Sequence, residues 1–373
     1  MSDSLQTHYE ATFKENAGEL YAPLSPMDLA AHHRRIEILD SLPLSDISNA
    51  TVVDYGVGSW GFGCIFEKLK KCASPIGIDI SQKAIEESAV RSRSDTLLAG
   101  KEVKYLTSLG YKIGLKSASV DLVFCGECIE HVEDTRAFLT EIHRIIKPGG
   151  SAIFTTPNAS PWIYRQLGIR WCVGFEHVAL MDYDEFEFYL SQYFEVQAIH
   201  GFNQSIHRDL DRFVPEALRE KWVGAGYRDA RDATSMVAIV RKATAAIPFP
   251  PQQVLPIEWD EALTTGSVTK LDLIRGISGG MIEAGSTFEI IIPPNMSRCN
   301  LILWTHDWSG IAEILTGSKT CTVDLYSPVG GCMRVTLTDL SGDRILIRPT
   351  GTRSPPSNAA QVILYRAVFA GDA

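Results

Sequence analysis

The stretch "DYGVGSWGFG" at residues 54–63 carries a G-x-G-x-x-G pattern in Gly56, Gly58 and Gly61, with Val57 between the first two glycines and Asp54 two positions ahead of them. A glycine turn between a strand and a helix lets the backbone approach a ligand and aims free N–H groups at it. A pyrophosphate would gain from the positive helix end there, but an acid in the turn would repel it. Asp54 suits a ligand with an ammonium and a sulfonium and no phosphate, and S-adenosylmethionine is such a ligand. Asp79 and Ile80, in "GIDIS", follow about twenty residues later, the spacing of a ribose-binding acid that NAD sites also use. A partner for the helix cap at Ser81 is a second reading of Asp79, and the two are compatible.

Transfer of a methyl group from such a ligand demands alignment and removal of a proton from the acceptor. Histidine is the usual base because its pKa lies near working pH. His177 ("GFEHV") and His131 ("CIEHVED") are the two candidates, both expected at the carboxyl edge of a sheet. His131 has a structural alternative, fixing its turn with Glu130 or Glu133. His177 lies in a long aromatic segment, 157–178, with Trp162, Tyr164, Trp171, Phe175, Arg165 and Arg170. Such a loop reads as a lid or as a segment packed on the sheet. Cys125 and Cys128 form C-x-x-C without a second ligand pair, so they read as a strand-end residue and a buried helix residue. No acid–histidine group has metal-ligand spacing along the chain, so no metal is expected.

These residues need a scaffold. "TVVDY" (51–55), "PIGIDI" (75–80), "VKYLT" (103–107), "VDLVFC" (120–125) and "SAIFTT" (151–156) read as strands buried on both faces. Helices are expected over 61–71, 81–93 and 135–146, the last stopped by "KPGG". A helix near 183–192, a strand 194–202, a polar helix near 209–222 and a strand 235–242 follow. Alternation of this kind gives a doubly wound α/β sheet. The N-terminal segment "HYEATFKENAGELYAPL" is expected to form a helical lid within 1–45, and "HHRR" (32–35) a solvated helix face.

Beyond this the texture changes. "ATAAIPFPPQQVLP" (243–256) reads as a stiff extended linker. After it come "STFEIIIPP", "RCNLILWTH", "KTCTVDLYSP", "CMRVTLTDL", "DRILIRPTG" and "QVILYRAVF", short segments with turn residues between them. They predict an all-β sandwich, jelly-roll-like. The domains are thus 1–245 and 246–373, and a cut within 248–256 is expected to leave the first folded and able to bind its ligand. In "LILWTHDWSG", Trp304 and Trp308 with His306 and Asp307 suggest an aromatic sugar platform, against packing or an oligomer contact for Trp304.

The quoted glycine turn, "GIDIS", "VDLVFCGECIEHVEDTRAFLTEIHRIIKPGGSAIFTTPN" and "FEHVALMDYDEFEFYL" resemble class I S-adenosylmethionine-dependent methyltransferases, in the branch of the ubiquinone-biosynthesis O-methyltransferases. The resemblance covers roughly 45–242. It implies a seven-stranded Rossmann-like sheet with an antiparallel last strand. It also implies that Asp54 neighbours the methionine end, that Gly56 and Gly58 permit close approach, and that Asp79 binds ribose. Cys125, Gly126 and Glu127 match the strand-four end flanking the methionine moiety. Two positions depart from the family: Trp60 replaces its third glycine, and the adenine-side acid is replaced by Thr107 and Ser108.

Composition bounds the rest. A formal net charge of −10 disfavours a phosphate-backbone binder, and eight cysteines in 373 residues do not make a disulfide scaffold. The N-terminus is polar and no apolar run reaches membrane length, so no membrane insertion and a cytoplasmic location are expected. The expected activity is O-methylation of a sugar, a glycan-related acceptor or another small molecule, and a homo-oligomer is compatible with it. The rivals are a non-catalytic cofactor-binding interaction protein and an NAD-dependent oxidoreductase.

Overall fold

The computed structural model describes residues 46–58, 67–168, 176–203, 214–225, 229–244, 252–260, 263–274, 277–328 and 330–372. The expectations for the N-terminal lid, "HHRR", Trp60, Gly61, Arg170, Trp171 and Phe175 lie outside these residues, as do residues 245–251 of the linker.

The first seven strands are β1 (Thr51–Tyr55), β2 (Ser74–Asp79), β3 (Lys104–Thr107), β4 (Val120–Gly126), β5 (Ile146–Pro157), β6 (Glu195–Phe202) and β7 (Ser235–Arg241). They form one sheet in the order β3-β2-β1-β4-β5-β7-β6. β1 pairs in parallel with both β2 and β4, while β7 runs antiparallel to β5 and β6. Strand order reverses between β1 and β4, which opens a crevice at their carboxyl ends.

The helix Thr135–Ile145 shows how the sequence builds this core. Asp134 caps it by accepting from Ala137 N–H at 2.7 Å. Phe138, Leu139, Ile142 and Ile145 fall on one face and are fully buried against the sheet. Losing one of them to alanine costs about 2–5 kcal/mol, depending on how far the cavity collapses. The expected "KPGG" stop is different in the structure. The helix ends at Ile145, and Lys147–Gly150 belongs to β5. Gly149 N–H donates to Lys242 O and Lys242 N–H to Gly150 O, so the glycines bond sideways to the end of β7.

Within the described residues the polar helix expected near 209–222 is Glu216–Ala225, and the helix expected over 61–71 is Glu67–Lys70.

The carboxyl-terminal region comprises β8 (Gln252–Glu258), β9 (Thr264–Thr265), β10 (Val268–Ile274), β11 (Ile277–Ile282), β12 (Thr287–Ile291) and β13 (Arg298–Thr305). It continues with β14 (Ile311–Thr316), β15 (Lys319–Asp324), β16 (Gly331–Thr338), β17 (Arg344–Pro349) and β18 (Val362–Asp372). One sheet runs β10-β11-β18-β13-β16 with β8 also paired to β18, and the other runs β15-β14-β17-β12-β9. Phe288, Ile314 and Ile347 of the second sheet pack with Leu301, Leu303 and Phe369 of the first, which makes a sandwich. The proline-rich reading extended too far: Gln252–Glu258 is strand, with Pro256 opposite Val368. β8 to β11 and β14 were not foreseen; β9 is only two residues long, and glycines interrupt β11.

Candidate functional site

The turn after β1 is fixed from two directions. Gly56 N–H and Val57 N–H donate to Ile78 O at 2.8 and 3.0 Å. Gly58 N–H donates to Asp79 Oδ2 at 2.8 Å, while Ser81 N–H donates to Asp79 Oδ1 at 2.9 Å. Gly56 (φ 78°) and Gly58 (φ 57°) hold left-handed backbone, where a side chain is strained. A Cβ at Gly56 would lie 2.8 Å from Cys128, so the turn presses on the segment after β4.

Asp79 therefore ties the glycine turn to the start of the helix Gln82–Ser92, whose cap is Ser81. A carboxylate oxygen accepts more than one hydrogen bond, so ligand hydroxyls are compatible with these two donors. Asp54 is buried beside it. Burial, and then the charge of Asp79, push the Asp54 carboxyl well above the usual carboxylate range. A cation would relieve that cost and an anion would add to it. The residues thus fit the ammonium and ribose of S-adenosylmethionine, and fit a pyrophosphate poorly.

Half-buried Ile80 adjoins Asp79 at the end of β2. Ser108 N–H donates to Asp79 O at 2.8 Å, which brings the end of β3 to the same edge. The Ser108 hydroxyl donates to Lys112 O at 3.4 Å, and Thr107 Oγ1 to Gln82 Oε1 at 2.7 Å. At the end of β4, Cys125 is buried in the strand, followed by Gly126 and by Glu127 at φ 48°. Thr155 holds Glu127 there, accepting from its N–H and donating from Oγ1 to Oε1 at 2.8 Å. Cys128 is half-buried ahead of a short 3₁₀ turn, rather than inside a helix as expected. Burial, and then Cys128, push the Cys125 thiol up, so it stays protonated.

That turn, Ile129–His131, carries the second half of the site. Glu130 is buried, accepts from Thr156 Oγ1 at 3.1 Å, and has its pKa raised by burial and then by Glu127. His131 Nδ1 lies 3.0 Å from Glu176 O. A carbonyl only accepts, so Nδ1 carries the proton and Nε2 the lone pair. Nε2 sits 3.7 Å from Glu130 Oε1, and the His131 and His177 rings are 4.9 Å apart. Ligand atoms of Glu130, His131 and His177 all lie within 4.8 Å of one another. Two imidazoles and a carboxyl at this separation can accept a proton or hold a divalent transition metal. Spacing along the chain concealed the group, because His177 arrives from the segment after β5. Ala179 N–H, donating to Glu130 O at 2.8 Å, fastens that segment in place.

Comparison with known proteins bears on this edge directly. The methyltransferase domain family matches residues 53–154, which run from β1 through the glycine turn, Asp79 and the Glu130–His131 turn into β5. Residues 53–154 are thus similar to a methyltransferase domain. The ubiquinone biosynthesis O-methyltransferase of Nitrosomonas europaea is 29% identical over 146 residues, covering 37% of this chain and 57% of that protein. The mitochondrial ubiquinone biosynthesis O-methyltransferase of Homo sapiens is 32% identical over 157 residues, 40% of this chain and 41% of that one. The chain thus spans about half the length of the curated relatives it matches. The magnesium protoporphyrin IX methyltransferase structure from Synechocystis PCC 6803 aligns over 64% of this chain and 98% of that one, at 14% identity and TM-score 0.42.

The α/β domain meets the sandwich beside its histidines. Arg298 grips Asp134 with two hydrogen bonds, and Arg366 pairs with Glu133. Asn300 Nδ2 donates to Glu133 O at 2.8 Å, and Arg334 Nη1 to Thr135 Oγ1 at 2.7 Å. Val178 and Ala179, next to His177, pack with Ile302, Tyr365 and Val368. Nothing in the sequence marks these contacts, since arginines on strands read as solvated. The expected aromatic platform lies elsewhere on the sandwich: His306 stands edge-on between Trp304 and Trp308, and Trp308 is exposed. Among the described residues no helix is long and apolar enough to cross a membrane.

Proposed function

We propose that the chain is an S-adenosylmethionine-dependent O-methyltransferase acting on a hydroxylated small molecule, with sugars and glycan-related acceptors as the first candidates. The observation that carries this is the Glu130–His131–His177 group beside a turn whose acids suit a cationic, ribose-bearing ligand. Bound S-adenosylmethionine supplies a methyl group on a sulfonium sulfur. Asp54 would neighbour its ammonium, Asp79 would accept from its ribose, and the glycine turn would admit it closely. His177 would accept the proton of the acceptor's hydroxyl as that oxygen becomes methylated. His131, proton fixed on Nδ1, supports His177 from behind.

The names of the similar O-methyltransferases make acceptors of ubiquinone biosynthesis the next class to test. A second reading keeps the reaction and gives Glu130, His131 and His177 a divalent cation that polarises the hydroxyl. Calorimetry with S-adenosylhomocysteine, S-adenosylmethionine and NAD tests the cofactor, and a labelled-methyl screen against glycosides and phenols tests the acceptor. Binding of NAD alone would overturn the reading. Activity abolished by a chelator and restored by a metal selects the second form.

A further inference from the structure

A cleft of about 600 Å³ opens where the two domains meet, a size in the range of small-molecule sites. His177, Phe188 and Tyr189 line it from the methyltransferase domain, and Thr305, Tyr326 and Arg334 from the sandwich. His177 thus belongs both to this cleft and to the group with Glu130 and His131. We propose that the interdomain cleft is the acceptor site, that it takes a neutral polyhydroxylated ring of the sugar class, and that the sandwich supplies half of it. This rests on the methyl-transfer reading.

Thr305 is the first reason. It is fully buried, lines the cleft, and its hydroxyl has no hydrogen-bond partner among the described residues. Buried hydroxyls are ordinarily satisfied, and an orphaned one is costly. Its oxygen is closed off from solvent, so a ligand hydroxyl satisfies it once the Thr305 side chain turns into the cleft.

The second reason is the mixture of surfaces. Phe188 is 51% exposed, unusual for a large apolar ring, and stands edge-on to Tyr189 at 5.7 Å. An aromatic face of this kind packs on the C–H face of a sugar ring, while on the facing wall Tyr326 offers a hydroxyl and Thr336, whose proton goes to Asn300 Oδ1 at 2.8 Å, an acceptor.

Charge decides between neutral and anionic acceptors. Arg334 is engaged by Thr135 Oγ1 and lies over the Tyr189 ring at 5.7 Å. Asp184 and Glu185 add two carboxylates to the wall. Asp184 is paired with Arg231, and Glu185 closes the capping box of the helix Tyr183–Ser191. A phosphate or carboxylate would meet acids there and a cation already engaged, whereas a neutral sugar would not.

The test uses the full chain with S-adenosylhomocysteine and saturation-transfer NMR against neutral methyl glycosides, methyl hexuronides, hexose phosphates and catechol. Neutral glycosides should bind. Thr305→Val should weaken them about tenfold, one lost hydrogen bond, while leaving the melting temperature equal or higher because an orphaned hydroxyl is gone. Phe188→Ala, at an exposed ring, should also weaken them, and Trp308→Ala should not. The proposal is overturned if no neutral glycoside binds, if charged sugars or catechol bind better, or if Thr305→Val and Phe188→Ala both bind as the parent does. Calorimetry with S-adenosylhomocysteine alone reads the methyl-transfer assignment separately, so that failure of one is not mistaken for failure of the other.

Discussion

Arg298 of the sandwich and Asp134 of the α/β domain form a buried, two-pronged ion pair, Nε to Oδ2 at 3.0 Å and Nη2 to Oδ1 at 2.9 Å. Asp134 is also the cap of the helix Thr135–Ile145. One carboxylate therefore serves a local rule of helix formation and a contact between domains. It lies three residues beyond His131, so the sandwich is anchored on the segment that carries the candidate chemistry.

Breaking this pair from one side leaves a buried charge. Arg298→Ala should destabilise the chain by about 3–5 kcal/mol, and Arg298→Met by less because its packing is kept. Chemical denaturation of both variants checks this. A cost under ~1 kcal/mol for Arg298→Ala would mean that water reaches Asp134 and the interface is loose.

Truncation is a different experiment, because removing the whole sandwich re-solvates Glu133 and Asp134. Residues 1–245 should still bind S-adenosylhomocysteine, since Asp54, Gly58 and Asp79 remain. The fragment should melt earlier and lose turnover, as Val178 and Ala179 lose their cover and the cleft loses a wall. Full turnover by the fragment would exclude the sandwich from the site.

Asp79→Asn is a cleaner probe of the cofactor than Asp79→Ala, because Asp79 also holds Gly58 and Ser81. Asparagine keeps one acceptor oxygen and removes the charge. Charge-assisted hydrogen bonds are worth about 1.5–3 kcal/mol each, so affinity should fall at least about tenfold in a folded protein. Unchanged affinity by calorimetry would remove the ribose role.

His177→Ala should leave cofactor affinity intact and lower turnover by about 10²–10⁴, the usual contribution of a positioned base. His131→Ala should lower turnover less and also reduce the melting temperature, because its Nδ1–H holds the Glu176 carbonyl. Full turnover by His177→Ala would leave alignment alone as the mechanism, which suits an acceptor that is an amine or is already deprotonated.

His143 gives a pH dependence of stability. Burial, and then Lys242, lower its pKa to about 4 in the folded chain, against about 6.5 when unfolded. Between these values the unfolded chain binds the extra proton, so stability is full above about pH 6.5 and falls as pH drops towards 4. His143→Gln should flatten that part of a melting-temperature profile. An unchanged slope would assign the acid sensitivity to other groups.

The sequence by itself determined the sheet and the glycine turn at its edge. Asp54, Gly56, Gly58 and Asp79 are local signals, each at the end of a strand whose apolar run is plain, and strand-to-helix order fixes which ends meet. It also indicated a separate all-β unit. It overstated the linker, because prolines on a sheet strand look like prolines in an extended spacer. Only the tertiary structure decided that His131 and His177 face each other across 4.9 Å with Glu130, since they come from different strand ends and no periodicity relates them. The same holds for Arg298, Arg334 and Arg366, which look solvent-facing in sequence yet meet the α/β domain. The physical reason is common to both: a strand or a turn is specified by its near neighbours, whereas a site or an interface exists only once distant segments share one volume.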